Sequence, residues 1–274
     1  MAEAGYMQNI FDTGVTLALP GRVVLVTGGS RGIGAATVRM FRRAGAKVVF
    51  SYRSAETQAR ALAEECGGED FCCAIQQNLS TPEEGFALVA AAAAVFGRID
   101  CLIVNHGIWP PHDAPIATMT ISQWRQTLGT NLDSAFGLVQ ASVAQMQSQQ
   151  PIDCRALGHI VLVSSTAGQR GEAFHADYAA SKGALISFTK ALSSELAAQK
   201  IYCNCVAPGW VATEMSAATL EHPEASKKVL SSIPLGRAAT PDEIAGPILF
   251  LCTPLAGFIS GEVFNVNGGA VLAG

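Results

Sequence analysis

The sequence predicts a single α/β domain built on a doubly wound, predominantly parallel seven-stranded sheet with helices on both faces. Seven short apolar runs alternate with longer segments of helical periodicity over nearly the whole chain. These runs are continuously apolar rather than alternating, which is typical of strands that are covered on both faces. Such strand–helix alternation indicates parallel strands joined by right-handed crossovers.

The predicted elements follow one another without a linker, a repeat or a low-complexity segment. The strands are predicted at residues 22–27, 47–52, 71–77, 101–105, 159–164, 202–207 and 263–266, and the helices at 33–44, 55–65, 82–96, 121–147, 178–198 and 241–251. In the fifth helix the core-facing positions recur at helical spacing, at Leu185, Phe188, Leu192 and Leu196. We therefore expect one domain over 20–274, preceded by an N-terminal arm at 1–19.

The composition argues against several classes of protein. Of the 274 residues, 49% are hydrophobic and 15% are charged, which is enough for a large core. A net charge of −4 without a basic stripe argues against nucleic-acid binding. We also expect no signal peptide and no membrane-spanning segment. The eight cysteines lack Cys-x-x-Cys and zinc-like spacing, so we expect reduced thiols in a soluble cytoplasmic protein without a metal site.

A glycine-rich loop directly follows the first predicted strand and opens the first helix. It reads Thr27-Gly28-Gly29-Ser30-Arg31-Gly32-Ile33-Gly34. In this position glycines permit a tight turn, close approach of the backbone to a pyrophosphate, and tight packing of the helix on the strand. The helix N-terminus adds free N–H groups and a partial positive charge. The strand before and the helix after favour a dinucleotide site over a plain glycine-rich turn.

The residues after the second strand distinguish between the two nicotinamide dinucleotides. A carboxylate there would bind the adenosine ribose hydroxyls and repel a 2′-phosphate. The chain instead reads Ser51-Tyr52-Arg53-Ser54, with no acid. Arg53 and Arg31 are able to form a fork around a phosphate. We therefore expect NADP(H) to be preferred over NAD(H).

Tyr178 and Lys182 are spaced to share one face of a helix. A free tyrosine, with a pKa near 10, is a poor general acid or base at neutral pH. An ammonium at about 4 Å, in an effective dielectric of about 20, would favour the phenolate by about 4 kcal/mol. The spacing alone also fits a surface tyrosine beside a solvated lysine, so the assignment depends on the rest of the chain.

Further motifs occur in order along the chain. They are Asn105-His106-Gly107 after the fourth strand, Asn131 in the fourth helix, Ser165 at the end of the fifth strand, residues 204–209 with Val211 and Thr213 after the sixth, and Asn267-Gly268-Gly269 after the seventh. With the glycine-rich loop and the Tyr178–Lys182 pair, they resemble the short-chain dehydrogenase/reductase family over about residues 20–270.

The resemblance implies a Rossmann-like fold and a nicotinamide-dependent oxidoreductase. It implies that Tyr178 exchanges a proton with a carbonyl oxygen, that Lys182 lowers the pKa of Tyr178, and that Ser165 hydrogen-bonds the carbonyl oxygen. It further implies that Asn131 holds a water that links Lys182 to solvent, and that the protein is a homotetramer. The implied cofactor-binding residues are Gly28, Ser30, Arg31, Gly32, Ile33, Gly34, Arg53, Asn78, Leu79, Asn105, Gly107, Tyr178, Lys182, Pro208, Gly209, Val211 and Thr213.

Two positions depart from the family pattern. His106 stands where a small residue is usual beside the cofactor. It is able to line the pocket, titrate or fill space, and no role is assigned to it. Asn78-Leu79 stands where Asp-Val is common near the adenine. Asparagine still hydrogen-bonds an adenine amino group, so we expect little effect there.

The substrate pocket is expected from residues 107–111 and 166–175 and from a substrate loop at about 210–234. The expected apolar contacts are Ile108, Trp109, Phe174, Trp210 and Met215, and the expected polar contacts are His106, Gln169, Arg170 and His175. This mixture suits a small-molecule ketone or secondary alcohol of moderate polarity and does not identify it.

Three alternatives stay open. The first is reduction of a 3-oxoacyl thioester of coenzyme A or of an acidic acyl carrier protein, which needs a basic docking surface. Residues 126–154 contain no Lys or Arg, which removes one source of that surface, whereas Arg125, Arg155 and Arg170 are able to contribute to it. The second is a catalytically silent protein that binds NADP(H), which the complete catalytic set disfavours. The third is a sugar-nucleotide epimerase or dehydratase, which usually carries a longer C-terminal domain.

Overall fold

The computed structural model describes residues 16–152 and 156–272 of the chain. Its strands are β1 (Val23–Val26), β2 (Lys47–Tyr52), β3 (Cys72–Gln76), β4 (Cys101–Val104), β5 (Gly158–Val163), β6 (Ile201–Pro208) and β7 (Val263–Val266). They form one sheet in the order β3-β2-β1-β4-β5-β6-β7, and every neighbouring pair is parallel. The predicted doubly wound parallel fold is confirmed.

Helices cover both faces of this sheet. They are α1 (Gly32–Arg43), α2 (Glu56–Glu65), α3 (Pro82–Phe96), α4 (Ile121–Leu128), α5 (Ser134–Ser148), α6 (Thr166–Arg170), α7 (Ala176–Leu196), α8 (Ala217–Leu220), α9 (Pro223–Ser231) and α10 (Pro241–Leu251). Five of the six predicted helices agree with the structure to within two residues at each end. Within the described residues, no helix is both long and apolar enough to cross a membrane.

Two apolar layers pack against the two faces of the sheet. Val24 and Val26 of β1 belong to one layer, together with Phe41 of α1. Leu25, which lies between them in β1, belongs to the other layer with Leu88 of α3. Successive side chains of a strand point to opposite faces of the sheet. Because both faces are covered, all four residues of β1 are buried. The double covering explains why the strands read as continuously apolar.

The N-terminal arm predicted at 1–19 lies largely outside the described residues. Its last part packs on the domain, because the Leu19 side chain is buried in the same layer as Phe41. The backbone N–H of Leu19 also donates to the carbonyl oxygen of Ala44, at 2.8 Å. Residues just before the predicted start of the domain therefore contribute to its core.

The continuous helix predicted over 121–147 is wrong. The structure divides it into α4 and α5, which are joined by a π-helical segment at Gly129–Asp133. A π turn holds an extra residue, so the apolar pattern changes phase there, and the single Gly129 at its start does not by itself distinguish a π turn from a continuous helix. The short helices α6, α8 and α9 were not predicted. They have only four to nine residues, which is too few for a periodic pattern to be recognised.

Candidate active site

A cavity of about 250 Å³ opens at the carboxyl ends of the central strands. The strand order reverses there between β1 and β4, which is where doubly wound sheets bind ligands. It is lined by thirteen of the predicted site residues, namely Gly28, Arg31, Gly32, Ile33, Gly34, Asn105, Ser165, Tyr178, Lys182, Pro208, Gly209, Val211 and Thr213. Ser30, Arg53, Asn78, Leu79, Gly107 and Asn131 lie outside this lining.

The glycine-rich loop is packed too tightly for larger residues. A Cβ atom on Gly34 would lie 2.1 Å from the carbonyl oxygen of Gly28, and one on Gly29 would lie 2.6 Å from the Phe50 side chain. Gly28 also has a φ of +64°, in the left-handed region that disfavours other residues. The loop therefore brings bare backbone to the cavity wall.

The N-terminus of α1 faces the same cavity. Arg31 is its N-cap residue and makes no side-chain capping hydrogen bond, and the first turn of this described helix holds no acid. Gly32 and Ile33 of that turn line the cavity. Backbone N–H groups and the helix dipole are thus available to an anion, as a pyrophosphate requires.

The end of β2 is held against the glycine-rich loop. The Gly28 N–H donates to the Ser51 hydroxyl at 3.2 Å, and the Gly29 N–H donates to the Ser51 carbonyl oxygen at 2.8 Å. Arg53 follows two residues later and is exposed, whereas Arg31 lines the cavity. Arg53 therefore lies outside the cavity lining, and Arg31, on the neighbouring segment, belongs to it.

The residues predicted near the adenine differ from each other in exposure. Asn78 is exposed, and its Nδ2 donates to Ser80 Oγ at 3.0 Å and to Glu84 Oε1 at 2.9 Å. These bonds orient the amide so that its oxygen is the atom left to accept from a ligand. The side chain of Leu79 is buried in the core, so only its backbone is available to a cofactor.

Ser165, Tyr178 and Lys182 meet at the centre of the cavity. Ser165 and Tyr178 both line the cavity, and Ser165 Oγ accepts from the backbone N–H of Ala167 at 3.1 Å. Lys182 lies one helical turn after Tyr178, and its Nζ lies 5.8 Å from the centre of the Tyr178 ring. The ammonium donates to the carbonyl oxygen of Val163 at 2.8 Å.

Burial changes the acidity of both ionisable groups. It raises the pKa of Tyr178 to about 12, although the hydrogen bond from Ser165 acts in the opposite direction. It lowers the pKa of Lys182 to about 8. The direction expected for Tyr178 was a lower pKa, and it is wrong for this arrangement. The expectation placed the Lys182 ammonium about 4 Å from the phenol. In the structure the ammonium is directed at the Val163 carbonyl oxygen, and desolvation is the largest effect on the pKa of Tyr178.

Asn131 lies in the π-helical segment and is almost completely buried. Its Oδ1 accepts from the Ile108 N–H at 2.8 Å, and its Nδ2 donates to the Ile108 carbonyl oxygen and to Ser181 Oγ, each at 3.1 Å. A Cβ atom on Gly107 would lie 3.2 Å from Asn131 Oδ1 and 3.4 Å from Lys182 Nζ. The side chain therefore fixes the loop after β4 directly beside Lys182.

His106 is held by hydrogen bonds beneath the cavity and does not line it. Burial, followed by the charge of Lys182, lowers the pKa of His106 to about 3, so the ring is neutral. Nε2 lies 3.1 Å from the Thr130 carbonyl oxygen, which only accepts, so this nitrogen carries the proton. Nδ1 then accepts from the Thr27 hydroxyl at 2.8 Å. His106 thus connects β1 to the π-helical segment.

Comparison with known proteins agrees with this architecture. Residues 28–271 match the family model described as enoyl-(acyl carrier protein) reductase. The 3-oxoacyl-[acyl-carrier-protein] reductase of Synechocystis sp. is 38% identical over 259 residues, which cover 93% of this chain and 99% of that protein. A short-chain dehydrogenase/reductase from Brucella melitensis, titled a glucose/ribitol dehydrogenase, superposes with a TM-score of 0.85 at 33% identity, over 94% of this chain and all of the other. The chain belongs to the short-chain dehydrogenase/reductase family.

A second structural relative of this short-chain dehydrogenase/reductase was crystallised with a nucleotide. It is a blue fluorescent protein from a metagenomic library in complex with NADPH, with a TM-score of 0.83 and 33% identity over 93% of this chain and 99% of the other. The family resemblance stated from the motifs is confirmed. The protein is an oxidoreductase that acts on CH–OH or ketone groups.

The side of the cavity that was predicted to bind the substrate is built around Trp109. Its ring stacks on His175, with the centroids 3.9 Å apart, and meets the Tyr178 ring edge-on at 4.8 Å. His175 lies beneath Trp109 rather than in the cavity, and its Nε2 is 3.1 Å from the Pro110 carbonyl oxygen. Of the predicted substrate contacts, Trp109, Arg170, Trp210 and Met215 line the cavity, whereas His106, Ile108, Gln169, Phe174 and His175 do not.

Two acidic residues of the cavity wall were not predicted. Glu172 forms an ion pair with Arg170, with 2.7 Å between Oε2 and Nη2. Glu214 follows Thr213, and its Oε2 lies 3.8 Å from the position that a Cβ atom on Gly32 would take. The signal that was overlooked for Glu172 is its position two residues after Arg170, inside a segment already expected to line the pocket. No local pattern distinguishes Glu214.

Proposed function

We propose that the protein is an NADP(H)-dependent oxidoreductase that transfers a hydride between the nicotinamide and a ketone or secondary alcohol carbon. Tyr178 is its general acid and base. The observation that carries the proposal is that Tyr178, Ser165 and Lys182 line one cavity together with the glycine-rich loop. When bound, the cofactor supplies or accepts the hydride.

Tyr178 and Ser165 have different roles at the carbonyl oxygen of the substrate. With a pKa of about 12, Tyr178 is protonated at pH 7 and is ready to give its proton when a carbonyl is reduced. Ser165 Oγ already accepts from Ala167, so its own proton is available to the same oxygen. An oxyanion-stabilising donor of this kind contributes on the order of 3 kcal/mol.

Lys182 serves the reverse direction. Oxidation of an alcohol needs the phenolate of Tyr178. Burial outweighs any effect of Lys182 on the net pKa, but a cation on the next helical turn still favours the phenolate more than a neutral residue there would. Lys182 is buried beside Tyr178 and Asn131, where the loop after β4 approaches its Nζ. We propose that Lys182 also binds the nicotinamide ribose and that Asn131, by holding Ile108, keeps a path for a water that links Lys182 to solvent.

The chain's own residues fit NADP(H). At Gly28, Gly32 and Gly34 a ligand can approach the backbone closely, which a Cβ atom would prevent. The N-terminus of α1 suits a pyrophosphate. Arg31 and Arg53 are the residues proposed to bind the 2′-phosphate, since residues 51–54 contain no acid. The relative that was crystallised with NADPH supports this assignment.

A carbonyl panel followed at the NADPH absorbance tests the proposal. We expect NADPH consumption with at least one ketone or aldehyde and slower consumption with NADH. A clear preference for NADH would contradict the cofactor assignment alone. Tight NADPH binding without hydride transfer to any carbonyl would instead favour the catalytically silent alternative.

Reduction of a 3-oxoacyl thioester is the second candidate, because the relative that is 38% identical is named for it. The surface expected to bind an acidic carrier is sparse. Of the three arginines expected to contribute to it, Arg170 is already paired with Glu172, Arg125 is an exposed residue of α4, and Arg155 lies outside the described residues. Parallel assays with acetoacetyl-coenzyme A and with simple ketones separate the two candidates.

We also propose a cytoplasmic homotetramer with α7 and β7 at its interfaces. Small residues on α7, such as Ala179, Ala180 and Ala184, permit close approach of a second helix. β7 is the last strand of the sheet, and Phe258 just before it is fully exposed. Light scattering after size-exclusion chromatography would give four times the 28.5 kDa chain mass if this is correct.

A further inference from the structure

An ion pair on the substrate side of the cavity has no part in the proposed proton transfer. Arg170 Nη2 lies 2.7 Å from Glu172 Oε2, and both side chains line the cavity. Arg170 ends α6, and Gly171 between the two residues has a φ of +81°, which is accessible mainly to glycine. The side chains are 47% and 28% exposed, so a ligand in the cavity can reach both.

The pair offers hydrogen-bond donors and acceptors without a net charge. One N–H of the guanidinium and one carboxylate oxygen are used within the pair, and the other donors and acceptors remain for a ligand. Glu172 also lies within electrostatic reach of the reaction centre, because its charge raises the pKa of Tyr178. Arg170, Glu172 and Tyr178 line the same cavity, so a group bound by the pair shares that cavity with the oxygen that Tyr178 would protonate.

Flat apolar surfaces lie on the same side of the cavity. Trp109 is held in place by its stacking on His175, at 3.9 Å, and Trp210 and Met215 line the wall with it. Sugars and polyols combine apolar C–H faces with hydroxyl groups, each of which both donates and accepts. A few placed polar groups beside aromatic side chains are what such a ligand needs.

A charged substrate would fit this wall less well. An anion attracted to Arg170 would meet the carboxylates of Glu172 and Glu214, which line the same cavity. A cation attracted to Glu172 would meet Arg170 at hydrogen-bond distance. A coenzyme A thioester carries phosphates, and its 3-oxoacyl chain has no hydroxyl group to offer Glu172.

We propose that the substrate is a neutral polyhydroxylated compound, a sugar or a polyol, with a hydroxyl near the reacting carbon bound by Arg170 and Glu172 together. The inference rests on the proposed hydride transfer. In oxidation the alcohol oxygen would lose its proton to the phenolate form of Tyr178, and the oxidised nicotinamide, when bound, would accept the hydride from the alcohol carbon, so that a C=O bond forms.

A substrate panel with the full-length protein tests the inference. Neutral aldoses, ketoses and polyols are compared with the matched aldonates, with simple secondary alcohols or ketones of equal carbon number, and with acetoacetyl-coenzyme A. We expect the best neutral polyhydroxylated compound to exceed each of the others in kcat/KM by about tenfold or more. A higher kcat/KM for an aldonate, a simple alcohol or a thioester would overturn the inference and leave the proposed function intact. Hydride transfer to none of them would contradict the proposed function itself.

Glu172→Gln isolates the role of the pair, because it leaves Arg170 without its counter-charge. The ratio of kcat/KM for the best polyol to kcat/KM for its aldonate should fall by about tenfold, mainly through KM. Glu56→Gln is the matched control, because Glu56 pairs with Arg60 at 2.6 Å on the exposed side of α2. An unchanged ratio in Glu172→Gln would overturn the inference, and the wild-type panel decides the question if this variant does not fold.

Discussion

The two halves of the cavity are built from different parts of the chain. The half proposed for the cofactor is formed at the glycine-rich loop by closely packed backbone, since a Cβ atom on Gly34 would lie 2.1 Å from the Gly28 carbonyl oxygen. The substrate half is made of side chains that come from three distant segments, at Trp109, Arg170 and Trp210. Backbone packing tolerates few changes, whereas exposed wall residues change without disturbing the core. The proposed cofactor site thus depends on backbone packing, whereas the proposed substrate site depends on side chains that are easier to replace.

Tyr178 lies where the two halves meet, and its replacement should have the largest effect. Tyr178→Phe removes the proton donor but keeps the ring that contacts Trp109, at 4.8 Å. We expect kcat to fall by about 10³-fold, with the NADPH dissociation constant within about threefold of wild type, measured by steady-state kinetics and fluorescence titration. Tyr202→Phe, outside the cavity, is the control. Near-normal turnover in Tyr178→Phe would remove this residue from the mechanism.

Gly34→Ala tests whether the cofactor half depends on bare backbone. The new methyl group would collide with the Gly28 carbonyl, so we expect a loss of about 1–3 kcal/mol in the free energy of unfolding and a clear loss of NADPH affinity. Gly246→Ala in α10 is the control, because nothing lies within 4 Å of its Cβ position. That variant should gain up to about 1 kcal/mol in urea unfolding. Equal behaviour of the two variants would refute the steric explanation.

His106, at the boundary between the two halves, makes the free energy of unfolding depend on pH. Its pKa is about 3 in the folded protein and about 6.5 when unfolded, so the unfolded chain binds the extra proton in between. The stabilisation that comes from keeping the His106 ring neutral is therefore fully present above about pH 6.5 and is lost as the pH falls toward 3. Between pH 7 and pH 5 the loss is about 2 kcal/mol.

His106→Ala should remove this part of the pH dependence of urea unfolding. The exposed His112→Ala variant should keep it, because His112 lies on the surface. An unaltered difference between pH 7 and pH 5 in His106→Ala would show that the ring is not held neutral by its surroundings.

Arg53→Gln should have the smallest effect, since Arg53 is exposed and outside the cavity lining. The loss of one charge-assisted hydrogen bond to the 2′-phosphate should lower kcat/KM for NADPH by about tenfold, with little change for NADH. Arg60→Gln on α2 is the matched control. Equal losses with both cofactors would show that Arg53 does not recognise the 2′-phosphate.

The difference between the halves also explains what the sequence predicted. The strands, the glycine-rich loop and the Tyr178–Lys182 pair follow from local patterns, because a bare backbone or a helical spacing appears directly in the letters. The spacing of Arg170 and Glu172 is visible in the sequence, but whether they form an ion pair depends on how the chain turns at Gly171, where φ is +81°. The direction of the Tyr178 pKa was missed for the same reason, since burial is set by packing from distant segments.

The π-helical segment at Gly129–Asp133 has a consequence for how the active site can change over time. One residue inserted into a helix rotates everything after it by about 100° around the axis. The segment takes up such a residue, so α4 is set against α7 independently of how α5 is set against α3. Substitutions can therefore change the orientation of α4, the helix that packs on α7, which carries Tyr178. α5 and the core beneath it keep their contacts.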